Sequence, residues 1–319
     1  MKNRFIKLLT CLICVLCAFS LFLTGCRSVP AKNEGNVYYS FTDSLGNSVT
    51  LKTKPQRVAV LFSSYAEMWR LAGGEISVTV GESIERGFAD SSVLLVDDGA
   101  GKKINTELLI SYKPDFIIAS ADISAQSEAC DILRNAGFPA ALFKVETFDD
   151  YSGVMRILCD ITGNEKNYAD NVTAVKNDID AVFAGIPKTE EKKKILFIRC
   201  GSSYSATKAK TANKNFVCAM LNELGTYNIA ENAPVLLEGL SFEKILVEDP
   251  DYIFFSTMGD EKKSTEYMNS VLLSDMWQEL SAIKNNNYAY LPKDMFQYKP
   301  NNRWAQAYAY LAGLLYGEQ

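Results

Sequence analysis

INTELLISYKPDFIIA (residues 104–119) recurs in divergent form as LSFEKILVEDPDYIFF (residues 240–255), and this internal repeat decides the fold. Each copy begins beside a residue that can cap a helix, Asn105 or Ser241, and places a proline before its last apolar run. A proline at that point ends the helix, and the run after it has the composition of a strand. We therefore expect two related lobes, each containing a helix that leads into a strand.

Short apolar segments alternate with helical periodicities over most of the chain, which predicts layers of helices on largely parallel sheets. A β-hairpin that turns at Gly46-Asn47 is expected to precede this α/β region. The predicted strands of the two lobes are Val58 to Phe62, Ser77 to Val80, Phe116 to Ala119, Ala140 to Phe143, Lys194 to Arg199, Tyr252 to Phe255 and Tyr288 to Leu291.

The middle of the chain predicts one long amphipathic helix between the lobes. Asn164 is its expected N-cap, and Gly185-Ile186-Pro187 ends it. The apolar residues of its buried face alternate at spacings of four and three, and they are Tyr168, Val172, Val175, Ile179 and Val182. The expected fold is thus α/β, with an N-terminal lobe (37–150) and a C-terminal lobe (191–319). A bridging helical segment (151–190) that contains the one long rigid α-helix joins the lobes, and a ligand cleft lies between them.

The first 26 residues have the pattern of a lipoprotein signal peptide. A basic start precedes an apolar run (8–23) that is shorter than the about 20 residues a membrane-spanning helix needs. Leu23-Thr24-Gly25-Cys26 resembles a bacterial lipobox, in which the cysteine is acylated; the alternative is an incidental cysteine beside an ordinary cleaved signal. We expect Cys26 to anchor the protein to the outer face of the cell membrane, and residues 27–36 to form a flexible tether.

The 319 residues include no histidine, which excludes a Ser-His-Asp hydrolase, a Cys-His protease, a His-ligated zinc site and a His-ligated haem. We expect a binding protein with no cofactor and no metal site rather than an enzyme. Removing the three basic residues of the signal takes the net charge from −5 to −8, so nucleic acid is not an expected partner. Buried free thiols are expected at the four remaining cysteines, although export would permit disulfides, and these are Cys130, Cys159, Cys200 and Cys218.

Strand topology indicates where a site should lie. Ligands of open parallel sheets bind beyond the carboxyl ends of the strands, so the crevice between the lobes is the expected position. The first turn of each repeat helix should lie on that same face, where Glu107 and Glu243 present one carboxylate per lobe. A single glutamate in a first turn commonly complements the helix dipole, and the matched pair is what favours a function.

The mature chain resembles the helix-bridged substrate-binding lipoproteins of bacterial ABC importers, the class that captures ferric siderophores, haem or cobalamin. The resemblance covers nearly all of the mature chain and rests on the order and spacing of DSLGNSVTLKTKPQRVAVL (43–61), NTELLISYKPDFIIA (105–119), LNELGTYNIAE (221–231), SFEKILVEDPDYIFF (241–255) and WQELSAIKNNNYAYLP (277–292). In that family a glutamate of each lobe forms a salt bridge with arginines of the permease dimer. The resemblance therefore implies this docking role for Glu107 and Glu243, and a monomer that delivers cargo to a permease with its ATPase.

Aromatic and basic side chains near the expected cleft are the candidate ligand contacts, because arginine suits anionic oxygens and aromatic rings suit planar or macrocyclic ligands. The candidates are Tyr65, Trp69, Arg86 and Phe88 in the N-terminal lobe, and Arg199, Tyr204, Lys208, Tyr298, Arg303 and Trp304 in the C-terminal lobe. Core packing is the alternative for Trp69, and for at least one of Trp304 and Tyr308, which are four residues apart.

The missing histidine also bears on the cargo. A ferric siderophore needs no ligand from the protein, so it ranks first, with cobalamin and haem next. Two other functions stay open, namely a lipid-anchored cell-envelope enzyme that uses carboxylates such as Glu107 and Glu243, and a sensor that binds cargo in the same cleft without importing it.

Overall fold

The computed structural model describes residues 37–97, 103–188 and 191–317. The expected signal peptide, the lipid site Cys26 and the tether lie outside the described residues. From Tyr38 onward the chain forms one compact unit, so the expected lobe boundaries near residues 150 and 190 stay predictions. Within the described segments no helix has the length and apolar character needed to cross a membrane.

The strands of the N-terminal lobe are β1 (Tyr39–Thr42), β2 (Ser48–Leu51), β3 (Val58–Val60), β4 (Val78–Thr79), β5 (Leu94–Leu95), β6 (Phe116–Ser120) and β7 (Ala140–Phe143). The predicted hairpin is confirmed, since β1 and β2 pair antiparallel on either side of Gly46, whose φ of 84° glycine adopts without strain. The other five strands form a parallel sheet in the order β5-β4-β3-β6-β7.

The strands of the C-terminal lobe are β8 (Lys194–Cys200), β9 (Lys208–Ala209), β10 (Tyr227–Asn228), β11 (Tyr252–Thr257) and β12 (Tyr288–Tyr290). Four of them form a parallel sheet in the order β10-β8-β11-β12, and β9 pairs antiparallel with β8. The two sheets confirm the expected α/β class with largely parallel strands.

Helices connect and cover these strands. They are α1 (Ser63–Leu71), α2 (Gly81–Glu85), α3 (Thr106–Tyr112), α4 (Ser124–Asn135), α5 (Phe148–Thr162), α6 (Glu165–Tyr168), α7 (Ala174–Gly185), α8 (Phe216–Glu223), α9 (Val235–Glu238), α10 (Phe242–Glu248), α11 (Glu261–Leu272), α12 (Asp275–Gln278), α13 (Ser281–Lys284), α14 (Lys293–Phe296) and α15 (Trp304–Tyr316). Short 3₁₀ turns occur at Tyr204–Ala206, Ala212–Lys214, Ile229–Asn232 and Asn301–Arg303.

Alternate residues of the central strands point into different hydrophobic cores. On β8, Ile195 and Phe197 join one cluster, whereas Leu196 and Ile198 join another. This alternation follows from the two-residue period of a strand, and it buries both faces of the sheet. The first cluster also contains side chains of the N-terminal lobe, such as Phe143, so the two lobes share one continuous core. A shared core restricts how far the lobes can separate.

The sequence repeat is also a structural repeat at the helix ends. Asn105 caps α3 as predicted, because its side chain accepts a hydrogen bond from the Leu108 N–H at 3.0 Å. Ser241 occupies the N-cap position before α10, but its side chain makes no capping hydrogen bond, so the predicted cap is wrong in that respect. Both helices end on a non-glycine residue in the left-handed region, Lys113 with φ 51° and Asp249 with φ 42°.

The aspartate after each repeat proline fixes the register of its strand. Asp115 accepts hydrogen bonds from the backbone N–H groups of Gln56 and Arg57 at 2.9 and 2.8 Å. Asp251 accepts one from the backbone N–H of Lys194 at 2.7 Å. In both lobes this aspartate therefore ties the strand after the helix to the start of the first parallel strand.

The predicted bridging helix is present as a continuous helical run from Glu165 to Gly185. It consists of α6, a π-helical turn at Ala169–Thr173, and α7. Its predicted inner face is confirmed, since Val172, Val175 and Ile179 are buried. Asn164 precedes the helix without a side-chain capping bond, which corrects the expected cap. The expected thiol state holds, because the four cysteines beyond residue 37 are free and buried.

Candidate functional site

A cavity of about 470 Å³ lies between the two lobes. In the N-terminal lobe its lining includes Phe62, Ser120 and Lys144, which follow or end β3, β6 and β7 at their carboxyl ends. This is the position that the strand topology predicts. The described residues that line it are Phe62, Glu82, Ser120, Asp122, Ile123, Lys144 and Glu146 from the N-terminal lobe and Arg199, Asn213, Lys214, Asn215, Phe216, Phe296, Gln297, Tyr298 and Lys299 from the C-terminal lobe.

The two walls of this cavity carry opposite charge. Three carboxylates and one lysine lie on the N-terminal wall, whereas one arginine and two lysines lie on the C-terminal wall. The described residues that line the C-terminal wall include no carboxylate. Since low-dielectric walls concentrate the field of fixed charges, a bound ligand experiences a potential that changes sign across the cleft.

Arg199 is a half-buried cation of the C-terminal wall without an ion-pair partner among the described residues. Its Nε atom is buried and has no hydrogen-bond partner among the described residues. Burial lowers the pKa of its guanidinium, and no neighbouring carboxylate offsets the effect. Lys208 is paired with Arg199 between β8 and β9. The pKa of the nearby Lys210 is lowered, mainly because Lys210 is partly buried and also because the positive charges of Arg199 and Lys208 are close to it. This part of the C-terminal lobe therefore carries an excess of positive charge next to the cavity.

Glu146 and Lys299 form a salt bridge from one wall to the other. Lys299 Nζ lies 2.9 Å from Glu146 Oε1 and 4.8 Å from the centroid of the Phe216 ring. Burial, assisted by the nearby Asp122 carboxylate, raises the pKa of Glu146, although Lys299 opposes that change. The Glu146 Oε2 atom is buried without a hydrogen-bond partner among the described residues. The salt bridge thus satisfies only one of the two oxygens.

A buried charge network lies beside the cavity and holds the C-terminal segment 298–303 against α1. Glu67 Oε2 accepts a hydrogen bond from Asn301 Nδ2 at 2.7 Å, and Glu67 Oε1 pairs with Arg303 at 3.1 Å. Arg86 lies 3.5 Å from the same carboxylate and stacks 3.8 Å from the centroid of the Tyr298 ring. Glu67 therefore helps to position Tyr298, a residue of the cavity lining, through the Arg86 guanidinium that lies between them.

The structure places several expected ligand residues at or beside the cleft. Arg199 and Tyr298 line it, whereas Arg86 and Arg303 lie in the network next to it. Lys208 is half-buried on β9, where it contributes charge without belonging to the lining. These residues come from both lobes, as expected for a site between them.

Other expected ligand residues do not reach the cleft. Tyr65 is fully buried and donates a hydrogen bond to the Phe143 carbonyl at 2.8 Å, and Trp69 donates one to the Glu75 carbonyl at the same distance. Trp304 is also fully buried in the shared core. The expectation that these three rings face the cleft is wrong, because helical position alone does not tell a core face from a site face.

Phe88 and Tyr204 also lie elsewhere. Phe88 is half-buried against Arg86, whose guanidinium carbon lies 4.7 Å from its ring centroid, and it lines a different pocket. Tyr204 is 59% exposed and lies beside Gly239. Neither side chain lines the cavity.

Glu107 and Glu243 are exposed in the first turns of α3 and α10. Neither has a salt-bridge partner among the described residues, so both carboxylates are available at the surface. They occupy equivalent places in the two copies of the repeat, whereas their position on a common face and their docking role stay predictions.

Sequence reasoning missed Glu146, Asp122 and Glu67. The first two follow β7 and β6 by a few residues, so their position after predicted strands was a usable signal. Glu67 lies inside α1 and gave no such signal. Its importance depends on contacts with residues more than 200 positions away.

A family model for periplasmic binding proteins matches residues 58–295. Because this match covers most of the chain, the protein belongs to the periplasmic binding protein family. Among curated proteins the sequence has no significant match.

The solved structures that are similar in fold at low sequence identity include the following three. An ABC transporter substrate-binding protein from Listeria monocytogenes has a TM-score of 0.67 at 15% identity, over 83% of this chain and 99% of that one. Staphylococcus aureus SirA, complexed with staphyloferrin B, has a TM-score of 0.64 at 19% identity, over 87% and 97%. S. aureus IsdE, complexed with haem, has a TM-score of 0.67 at 14% identity, over 82% and 98%. The expected two-lobe fold of helix-bridged binding proteins is confirmed.

Proposed function

We propose that the protein is a lipid-anchored extracytoplasmic receptor that binds a ferric siderophore with anionic oxygen donors and delivers it to an ABC permease. The observation that carries this proposal is Arg199, a half-buried arginine in the wall of the interlobe cavity that has no ion-pair partner among the described residues. Partial burial of an unpaired cation costs free energy, and an anionic ligand reduces that cost. Binding therefore gains from a charge interaction that the free protein lacks.

The cavity also suits a compact chelate. Its volume lies within the range of about 300–1,000 Å³ that is usual for small-molecule sites. The rings of Phe62, Phe216 and Tyr298 supply apolar surface around the polar groups. One structural relative is complexed with staphyloferrin B and another with haem. Since a ferric siderophore needs no ligand from the protein and the sequence has no histidine to ligate haem iron, a ferric siderophore ranks first, with cobalamin and haem next.

Delivery requires two further contacts. Acylated Cys26 would keep the receptor at the membrane surface, within reach of a permease. Glu107 and Glu243 would pair with arginines of the permease dimer, with its ATPase on the other side. One exposed ion pair contributes only about 0–1 kcal/mol, but two pairs at a fixed spacing act together and set the orientation.

A fluorescence titration tests ligand binding. The Trp304 ring lies 6.1 Å from the ring of Phe216, a cavity residue, so its emission should respond to a ferric complex in the cleft. We expect saturable quenching at submicromolar concentration by at least one ferric chelate with carboxylate or catecholate donors. Haem, cobalamin and iron-free chelators form the comparison panel. No saturable response to any ferric chelate would contradict the proposal.

A further inference from the structure

Three cations lie on one face of the β8–β9 strand pair. Arg199 and Lys208 are direct partners across this antiparallel pair, so their side chains point to the same face. Lys210 follows Lys208 by two residues and continues the pairing, because its backbone N–H donates to the Phe197 carbonyl at 3.2 Å. The two-residue period of a strand brings Lys210 to that face as well. Like charges directly opposite each other in a sheet are destabilising, so stability does not account for this arrangement.

A fourth cation connects this group to the interlobe cavity. Lys214 is exposed and, like the half-buried Arg199, belongs to the lining of the cavity. The positive charges of Arg199, Lys208 and Lys214 all contribute to lowering the pKa of Lys210, after its burial, so the four groups are close together. We call Arg199, Lys208, Lys210 and Lys214 the basic cluster.

The basic cluster lacks counter-ions within the described part of the chain. None of its four members forms a salt bridge there. The Glu231 carboxylate lies in the same region, where its Oε1 atom accepts a hydrogen bond from the Ala212 N–H at 2.7 Å. Four cations with no salt bridge form a site that is prepared for negative charge from outside the protein.

The acidic residues of the opposite wall already have partners. Glu146 pairs with Lys299 at 2.9 Å, and Asp122 lies 3.9 Å from Lys144. Glu82 accepts a hydrogen bond from the Ser63 hydroxyl. The charge that remains without a partner in this cleft is therefore positive and lies on the C-terminal side.

We infer that the ligand is a ferric complex that stays negatively charged after its donors have bound the iron, and that its anionic groups contact the basic cluster. This inference rests on the proposed function and deepens it, because chelates with anionic oxygen donors include some whose ferric complex is neutral. A tris-hydroxamate gives a neutral ferric complex, whereas a tris-catecholate, or a chelator with carboxylates left free, gives an anion. The cleft therefore selects its cargo by the net charge of the whole complex, and the anionic groups bind towards the C-terminal lobe.

One chelator with three different end groups tests the inference. The probes are a ferric linear tris-hydroxamate whose terminal amine is free, acetylated or succinylated, so that the complex is cationic, neutral or anionic with the same iron coordination. A ferric tris-catecholate adds a multiply charged anion. All four are titrated calorimetrically into the protein expressed from the full chain and purified in detergent, at pH 7. We expect the succinylated complex to bind about tenfold more tightly than the acetylated one, and the tris-catecholate more tightly again.

Lysine variants test the assignment to the basic cluster. Lys210→Gln and Lys214→Gln should each reduce the preference for the succinylated complex to about threefold, whereas Lys262→Gln, which alters an exposed lysine of α11 outside the cavity, should keep it in full. Lys210→Gln should also raise the urea midpoint of the ligand-free protein, because it removes one of several like charges. A lower midpoint would overturn the role of Lys210, since a lysine that serves the fold stabilises it.

The outcomes separate this inference from the proposed function. Acetylated complex that binds as tightly as the succinylated complex, or more tightly, would overturn the inference and leave the receptor function standing. Binding of none of the four complexes would overturn both. A preference that Lys210→Gln and Lys214→Gln both retain in full would overturn the assignment to the basic cluster.

Discussion

Glu67 should make an unusually large contribution to stability for a single carboxylate. It is 6% exposed, and it contacts Asn301 at 2.7 Å, Arg303 at 3.1 Å and Arg86 at 3.5 Å. Its replacement by alanine leaves two guanidinium groups and a buried amide without their shared acceptor. Breaking a buried ion pair from one side costs about 3–5 kcal/mol, so we expect Glu67→Ala to lower the free energy of unfolding by about that amount.

The matched control is Glu75→Ala. Glu75 also pairs with an arginine, Arg70, at 2.6 Å, but its side chain is 86% exposed and that of Arg70 is 47% exposed. Exposed pairs contribute about 0–1 kcal/mol, so this variant should change stability little. Urea unfolding followed by circular dichroism measures both variants. A loss below about 1 kcal/mol for Glu67→Ala, or equal losses for the two variants, would refute the assigned role of the buried network.

Three further predictions concern delivery, anchoring and pH. Glu107→Ala combined with Glu243→Ala should abolish uptake in cells and leave ligand affinity within twofold of the original, and a loss of affinity would contradict a docking role. Cys26→Ser should move the protein from the membrane fraction to the soluble fraction on cell fractionation, and retention at the membrane would contradict lipid anchoring. Burial and Asp122 raise the Glu146 pKa above 4.5, so the folded protein holds a proton that the unfolded chain has released. Urea unfolding at several pH values measures the free energy of unfolding of the unmodified protein and of Glu146→Gln. The difference in favour of the unmodified protein should shrink as the pH rises from 4.5 through the raised pKa, and a difference that grows with pH would contradict this.

Local patterns predicted much of the fold. The repeat at 104–119 and 240–255 predicted a helix, a proline break and a strand, and the structure has α3 with β6 and α10 with β11 at these places. These features depend on residues close together in sequence, such as Asn105 and Leu108 in the helix cap. Two-residue strands such as β5 and β10 were not predicted, because a run that short has no detectable periodicity.

Side-chain environments were predicted less well. Trp69 and Trp304 were candidate ligand contacts, yet both are core residues, because periodicity identifies an apolar face without telling what covers it. The pairing of Glu146 with Lys299 joins residues 153 positions apart and depends on how the lobes meet. No local rule contains that pairing, although the position of Glu146 after a predicted strand was a usable signal that it lies near the cleft.

The most direct test of the central claim is calorimetric titration of Arg199→Gln and Arg57→Gln with the ferric chelate that binds the unmodified protein most tightly. Arg57 is an exposed arginine whose backbone N–H and carbonyl make its described hydrogen bonds, so its replacement is the matched control. Hydrogen bonds to charged groups contribute about 1.5–3 kcal/mol, which corresponds to an affinity loss of roughly 10- to 150-fold for Arg199→Gln and none for Arg57→Gln. Unchanged affinity in Arg199→Gln would contradict capture of an anionic chelate in this cleft.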